Sequence, residues 1–146
     1  NVVNQFARRA WETDRVELLY QKQDDPMQVW GDPARLEQAL VNLIRNALRY
    51  TSPGGVVLVQ TRRCESGALL SVSDMGCGIP AADLPFVWDR YFRAADPADN
   101  QQETNAGLGL ALVKEFVEAM QGRVGVKSQP GEGCCFLLYL KLINLT

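Results

Sequence analysis

The sequence predicts an α+β fold with helices on one face of a largely antiparallel sheet. Three observations point that way. Apolar residues recur at helical spacing at the start of the chain, from Leu36 to Leu48, and again from Leu108 onward. Two pairs of strand-like runs are joined by short glycine-containing turns, the pattern of antiparallel hairpins. Neither a repeat nor an interior linker divides the 146 residues, a length suited to one domain, 1–146, with a real core.

Val2, Val3, Phe6, Ala7, Ala10 and Trp11 share a helical face, so residues 1–12 predict an amphipathic helix. Val16 to Gln21 predicts a strand and Gln28 to Trp30 a short second one. Asp32 is placed to cap the next helix, and Pro33 suits its first turn. Leu36, Leu40, Leu43, Ile44, Ala47 and Leu48 give that helix one apolar face, and Ser52-Pro53-Gly54-Gly55 stops it. Val56 to Arg63 and Ala68 to Asp74 predict a hairpin turning through Glu65-Ser66-Gly67. Pro80 starts a short helix that Ala81 to Trp88 continues. Residues 94–106 are polar and aperiodic, with Asp96, Pro97, Asp99, Asn100, Gln101 and Gln102, and predict a mobile loop. Leu108 to Gln121 predicts a helix ended by Gly122. Arg123 to Lys127 and Cys134 to Leu142 form the last hairpin, turning at Gln129-Pro130-Gly131.

Composition narrows the function. Hydrophobic residues make up 47% of the chain, as in ordinary globular proteins, and the net charge is −2 with no basic block. That argues against nucleic acid as the main partner. The apolar runs fall far short of the roughly 20 residues a bilayer requires, and no signal peptide is visible. The domain therefore reads as cytoplasmic and not membrane-inserted, whatever anchor a parent protein carries elsewhere. Cys64, Cys77, Cys134 and Cys135 form no C-x-x-C pair, and there is no histidine, so the usual zinc sets lack their commonest member. The cysteines read as packed, reduced thiols, and Cys134 and Cys135, neighbours in a strand, should face opposite sides.

Three clusters carry chemistry. Asn42 and Asn46 stand at i and i+4, on one helix face, as neutral oxygen donors suited to a hard cation. Gly76 and Gly78 follow Asp74, and Gly107 and Gly109 open a helix; both pairs allow close backbone approach to a ligand. Amide groups at a helix start carry partial positive charge and bind phosphates. No G-x-x-x-x-G-K-[ST] string occurs, so a P-loop is excluded. Gly107-x-Gly109 lacks the preceding strand and βαβ unit of a dinucleotide fingerprint. The clusters together describe a magnesium-nucleotide site. Taken singly, Asp74 also suits a turn before glycine, Arg49 a solvated helix end, and Tyr50 a core aromatic.

In order, Asn42 to Tyr50, Asp74 to Gly78, Val87 to Arg93, Gly107 to Leu110 and Gly131 to Gly133 resemble the N box, first glycine box, F box, second glycine box and a further glycine turn of one family. It is the ATP-binding catalytic domain of sensor histidine kinases, in the wider group of DNA gyrase, mismatch-repair ATPases and heat-shock chaperones. The resemblance covers nearly the whole chain. It implies a two-layer α/β sandwich with a mixed, largely antiparallel sheet and a flexible lid, here 94–106, over ATP. It implies ATP and Mg2+ as ligands, with Asn46 on the metal and Asn42 as the secondary metal candidate supporting the phosphates. Asp74 would read adenine, since the adenine amino group donates where guanine presents an acceptor. Arg49, where the family often has lysine, Tyr50, Gly76, Gly78, Ile79, Arg90, Gly107, Leu108, Gly109 and Leu110 complete the implied nucleotide site. Arg93 is implied at the γ-phosphate and, with Asn46, is the catalytic candidate. Trp88, Tyr91 and Phe92 read as packing.

Two positions depart from the pattern. Related hydrolases have a water-activating glutamate where this chain has Asn42, which cannot act as a base; that favours transfer to an imidazole, which brings its own lone pair. Cys134 and Cys135 stand where the family has a hydroxyl after the last glycine turn, and a thiol is a weak donor, so the water network behind Asp74 should be weaker or differently arranged. The implied function is transfer of the γ-phosphoryl group of Mg-ATP to a histidine on a separate dimerisation domain, with a response regulator as the next acceptor. The isolated domain would be a monomer and the parent a homodimer. A non-catalytic ATP-sensing module, and a serine kinase or ATPase of the same superfamily, are the alternatives.

Overall fold

The computed structural model describes residues 2–22, 29–65, 67–76, 78–79, 81–89, 106–129 and 131–142. Helix α1 (Val2–Arg9) runs into a wider helical turn, Ala10–Asp14, that closes on Arg15 in the left-handed region (φ 55°). The chain then forms β1 (Glu17–Lys22), α2 (Pro33–Tyr50), β2 (Val56–Cys64) and β3 (Gly67–Asp74). After a short 3-10 turn at Leu84–Phe86 come α3 (Ala106–Ala119), β4 (Arg123–Gln129) and β5 (Gly133–Leu140). The cap of α2 forms as predicted: Asp32 is extended, and its carboxylate accepts from the Ala34 N–H at 2.9 Å, with Pro33 behind it.

The five strands lie in the order β1-β2-β3-β5-β4. β1 is parallel to β2 and the other three pairings are antiparallel, so the sheet is mixed, and the α+β architecture is the one predicted. Alternate strand residues, among them Leu18, Val57, Val59, Leu70, Val72, Phe136 and Leu138, join Leu43 and Ile44 of α2 and Val113 and Val117 of α3 in one buried cluster. Alternating burial in β2, at Val57 and Val59, faces the helical stripe, while β3 at the centre of the sheet is buried along nearly its whole length. Each such side chain contributes about 1.5–3 kcal/mol when fully buried.

Several boundaries differ from expectation. Of the strand expected over Gln28 to Trp30, Gln28 lies outside the described residues. Only Val29 bridges, to Leu142, because Gly31 (φ 148°) and Asp32 turn the chain at once into α2. Gly31 lies so close to Met120 that an added Cβ would sit 2.2 Å from its sulfur. Ala81 to Trp88 is a series of turns, not a helix. Pro85 has no N–H to donate, which breaks the hydrogen-bond ladder that a helix across 81–88 needs. At the end of α3 it is Gln121, not Gly122, that turns left-handed (φ 62°). The Gly122 N–H then closes on the Val117 carbonyl at 2.9 Å, the longer-range bond of a Schellman cap. Gly122 is required for another reason, since a Cβ there would meet the Tyr139 carbonyl at 2.4 Å. Cys134 is buried and Cys135 half-buried, on opposite faces. They and Cys64 are free thiols; Cys77 lies outside the described residues. The loop expected over 94–106 also lies outside them, except for Ala106, the first residue of α3.

The β4–β5 turn tests the account of the sheet. Gly131 (φ 81°) has open space around a would-be Cβ, whereas at Gly133 (φ 90°) a Cβ would fall 2.1 Å from the Asp74 carbonyl. Gly131→Ala should cost only the left-handed backbone penalty, about 1–2 kcal/mol. Gly133→Ala adds a clash with a neighbouring strand and should cost roughly twice that or more. Urea unfolding of the two variants measures the difference, and equal costs would show that the turn yields at Gly133.

Candidate functional site

Three segments meet at one end of the core. The first is α2. Its stripe of Ala39, Leu43, Ile44 and Ala47 is buried, which leaves Asn42, Asn46, Arg49 and Tyr50 half-buried on the flank. The Asn42 side-chain N–H donates to the Gly109 carbonyl at 3.3 Å, and its oxygen accepts from Gln38 at 3.0 Å. That bond ties α2 to the first turns of α3, where the helix also carries Gly107, Leu108 and Leu110. The Asn46 side chain, one turn on, has no hydrogen-bond partner among the described residues. The Arg49 guanidinium lies 5.6 Å from the centre of the Tyr50 ring, so the two form a stacked pair at the end of the helix.

The second segment is the exit from β3. Asp74 ends a largely buried strand and is only 7% exposed. Its carboxylate accepts from the Gly76 N–H at 2.9 Å and also from the Cys134 N–H. Burial nonetheless dominates and raises its pKa above 3.8, against the lowering effect of those two bonds. A Cβ on Gly76 would lie 2.4 Å from the Tyr50 carbonyl and 3.0 Å from the Asp74 carboxylate, so the glycine loop runs directly over the end of α2. Gly78 takes a positive φ of 75°. Ile79, half-buried at the edge of the core, donates its N–H to the Ser128 hydroxyl at 2.7 Å.

The third segment is the β4–β5 hairpin. Cys134 pairs with Asp74, and burial followed by the nearby Asp74 charge pushes its thiol up to about 12. It is a neutral thiol at physiological pH, with little nucleophilic thiolate. Ser128, beside it, was not marked out by sequence reasoning. Its signal becomes readable only from the register, which sets Ser128 opposite Cys134 and Cys134 opposite Asp74.

The structure therefore brings together Asn42, Asn46, Arg49 and Tyr50 on α2, the Asp74–Ile79 loop, and Gly107 to Leu110. Arg90, Tyr91, Phe92 and Arg93 lie outside the described residues. Before them Val87 is buried and Trp88 meets Phe136 edge-on at 5.5 Å, which is packing, as expected. The donor set fits magnesium, which takes few protein ligands beside water and phosphate oxygens. Among the described residues no group of three or more His, Cys, Asp or Glu forms an all-protein cage. Asn46 is the amide whose oxygen the protein's own described bonds leave open. Among the described residues no helix is long and apolar enough to cross a membrane.

Residues 31–144 match the family described as histidine kinase-, DNA gyrase B-, and HSP90-like ATPase. The sensor protein GacS of Pseudomonas syringae pv. syringae is 37% identical over 140 residues, covering 93% of this chain. The chain spans 15% of that relative's length. Among solved structures, the mycobacterial sensor histidine kinase MprB superposes with a TM-score of 0.80 at 29% identity, covering 97% of this chain and 95% of that one. Full-length ShkA, solved in complex with AMPPNP, gives 0.82 at 27% identity, covering 99% of this chain and 29% of that one.

The buried carboxylate makes a prediction with a definite sign. A raised folded pKa means the fold prefers the protonated acid. That contribution is fully present below 3.8 and is lost as pH rises through the higher folded value. Asp74→Asn, which stays neutral, should melt above the wild type at neutral pH, and the gap should close on acidification. Melting curves of both proteins across that window provide the check. A variant less stable at neutral pH would mean that the two backbone bonds outweigh burial.

Proposed function

This chain belongs to the family of histidine kinase-, DNA gyrase B-, and HSP90-like ATPases, and we propose that it is the ATP-binding catalytic domain of a sensor histidine kinase. In that role it binds Mg-ATP and passes the γ-phosphoryl group to a histidine carried outside these 146 residues, in two-component signalling. The observation that carries this reading is the convergence at Asn42 and Gly76. Asn42 fastens the glycine-bearing start of α3 to α2, and Gly76 lays the adenine-side loop on the end of the same helix.

Each group has a physical task. The Asp74 carboxylate, held by two backbone N–H groups, accepts from the adenine amino group and disfavours guanine. The amides at the start of α3 face the phosphates, whose negative charge the helix terminus favours. Asn46 offers its oxygen to Mg2+, which when bound neutralises phosphate charge, and Asn42 supports the phosphate side through its bond to Gly109. Arg93 is assigned to the γ-phosphate and Arg90 to the nucleotide site, and Arg49 beside Tyr50 supplies charge at the helix end. Little covalent chemistry falls to the protein, so catalysis is positioning and electrostatics.

Asn42 favours transfer over hydrolysis. Its side chain is already a donor to Gly109 and an acceptor from Gln38, and an amide takes no proton from water. An incoming imidazole needs none taken. The phosphate then passes to a response regulator, and the parent kinase acts as a homodimer.

The direct test supplies the chain with γ-labelled ATP and a separate histidine-bearing helical dimerisation domain. Label that is acid-labile and base-stable on the acceptor is the expected result. Binding of ATP without transfer would support a nucleotide-sensing module instead, and label on serine a serine kinase.

Asn46→Ala separates metal use from folding. The buried stripe of α2 is untouched, so the unfolding midpoint should move little, by under about 1 kcal/mol in stability. Transfer should fall by roughly 100-fold or more and lose its response to magnesium. A variant that transfers at the wild-type rate would remove Asn46 from the metal site.

A further inference from the structure

Ser128 belongs to none of the glycine or asparagine clusters, yet three backbone segments meet at its hydroxyl. It stands in β4 opposite Cys134, which stands opposite Asp74. Directly paired residues project to the same sheet face, so Asp74, Cys134 and Ser128 make one polar row across three strands. At the end of the row the Ser128 hydroxyl accepts from the Ile79 N–H at 2.7 Å and donates to the Gly133 carbonyl at 3.0 Å. It also lies against the Cys134 thiol, whose other polar neighbour is the Asp74 carboxylate. Gly133 in turn is pressed against the Asp74 carbonyl, within the distance a Cβ would need.

The loop held in this way is rich in glycine. Gly76 and Gly78 contribute no side chains, and Gly78 adopts a backbone region that glycine enters freely in many other directions. Asp74 fixes the near end of the loop through the Gly76 N–H. The far end is fixed at Ile79 by a side chain from another strand. We propose that Ser128 is a positioning residue for the base-side half of the nucleotide site, setting the path of Gly76–Ile79 and so the pose of the base against Asp74. This deepens the ATP-binding reading above and rests on it. Without the hydroxyl, the Ile79 N–H and the Gly133 carbonyl lose their partner, the loop samples more conformations, and nucleotide must order it on binding.

Ser128→Ala and Ser128→Thr in this chain test the role, with two readouts. One is ATP affinity by calorimetry. The other is hydrogen exchange at the Ile79 amide without nucleotide, which a general loss of stability would not single out. Ser128→Ala should bind ATP about 3- to 10-fold more weakly, the range for one neutral hydrogen bond. Its Ile79 amide should exchange faster, and transfer at saturating ATP should be unchanged, so the defect appears in KM. Ser128→Thr, which keeps the hydroxyl and suits a strand, should restore affinity to within about twofold and restore the protection. A Ser128→Ala protein that binds ATP as tightly as the wild type overturns the role. So does weakened binding with Ile79 still protected, or with no rescue by threonine. A wild type that binds no ATP overturns the nucleotide reading and this role with it, whereas wild-type binding with an unaffected alanine variant overturns this role alone.

Discussion

Burying a carboxylate at the end of a strand opposes its ionisation, and the geometry around Asp74 is organised about that opposition. Desolvation raises its pKa, while the N–H groups of Gly76 and Cys134 hold the charged form in place. The glycines next to it follow from the same point. Gly76 must clear the Tyr50 carbonyl and the carboxylate itself, and Gly133 must clear the Asp74 carbonyl. A side chain at either position would push the strand end away from α2 or from β5. In the proposed function these close approaches lie where the base is recognised, which is where buried polar groups are expected to collect.

From that fixed point the rest of the site extends along α2. The helix presents an apolar stripe to the sheet and a polar flank to α3, and the two asparagines differ in what they do there. Asn42 is occupied with joining helices, to Gly109 on one side and Gln38 within its own helix. Asn46 keeps its oxygen open among the described residues. In the proposed function, one amide shapes the phosphate side of the site and the other is offered to a cation. Such a division suits a reaction in which the protein supplies position and field, and the acceptor brings its own nucleophile.

Much of this was legible in the sequence because it is local. Asp32 before Pro33, the i,i+4 asparagines and the glycines after Asp74 are signals read within a few residues, and each lies where it was expected. What could not be read depends on contacts between distant segments. Val29 bridges Leu142 and Gly31 is wedged against Met120, both contacts far away in the sequence. Gln121 takes the left-handed position, and Gly122 is kept free for the Tyr139 carbonyl. The helix expected to start at Pro80 and continue to Trp88 meets Pro85, a breaker legible in the sequence, and only a short 3-10 turn forms there. The absent hydroxyl at Cys134 was noticed from the sequence, but the hydroxyl one strand away at Ser128 needed the register to be seen.

The central claim is that one nucleotide spans the Asp74 loop, the flank of α2 and the start of α3. Amide chemical shifts of the isotope-labelled chain, titrated with magnesium and a nonhydrolysable ATP analogue, test it most directly. The account predicts saturable shifts centred on Gly76, Gly78, Ile79 and Gly109 and on the Asn46 side-chain amide. The exposed strand edge at Leu19 and Tyr20 should stay unchanged. Saturable shifts at that edge with a silent glycine loop, or no saturable shifts anywhere, would contradict it.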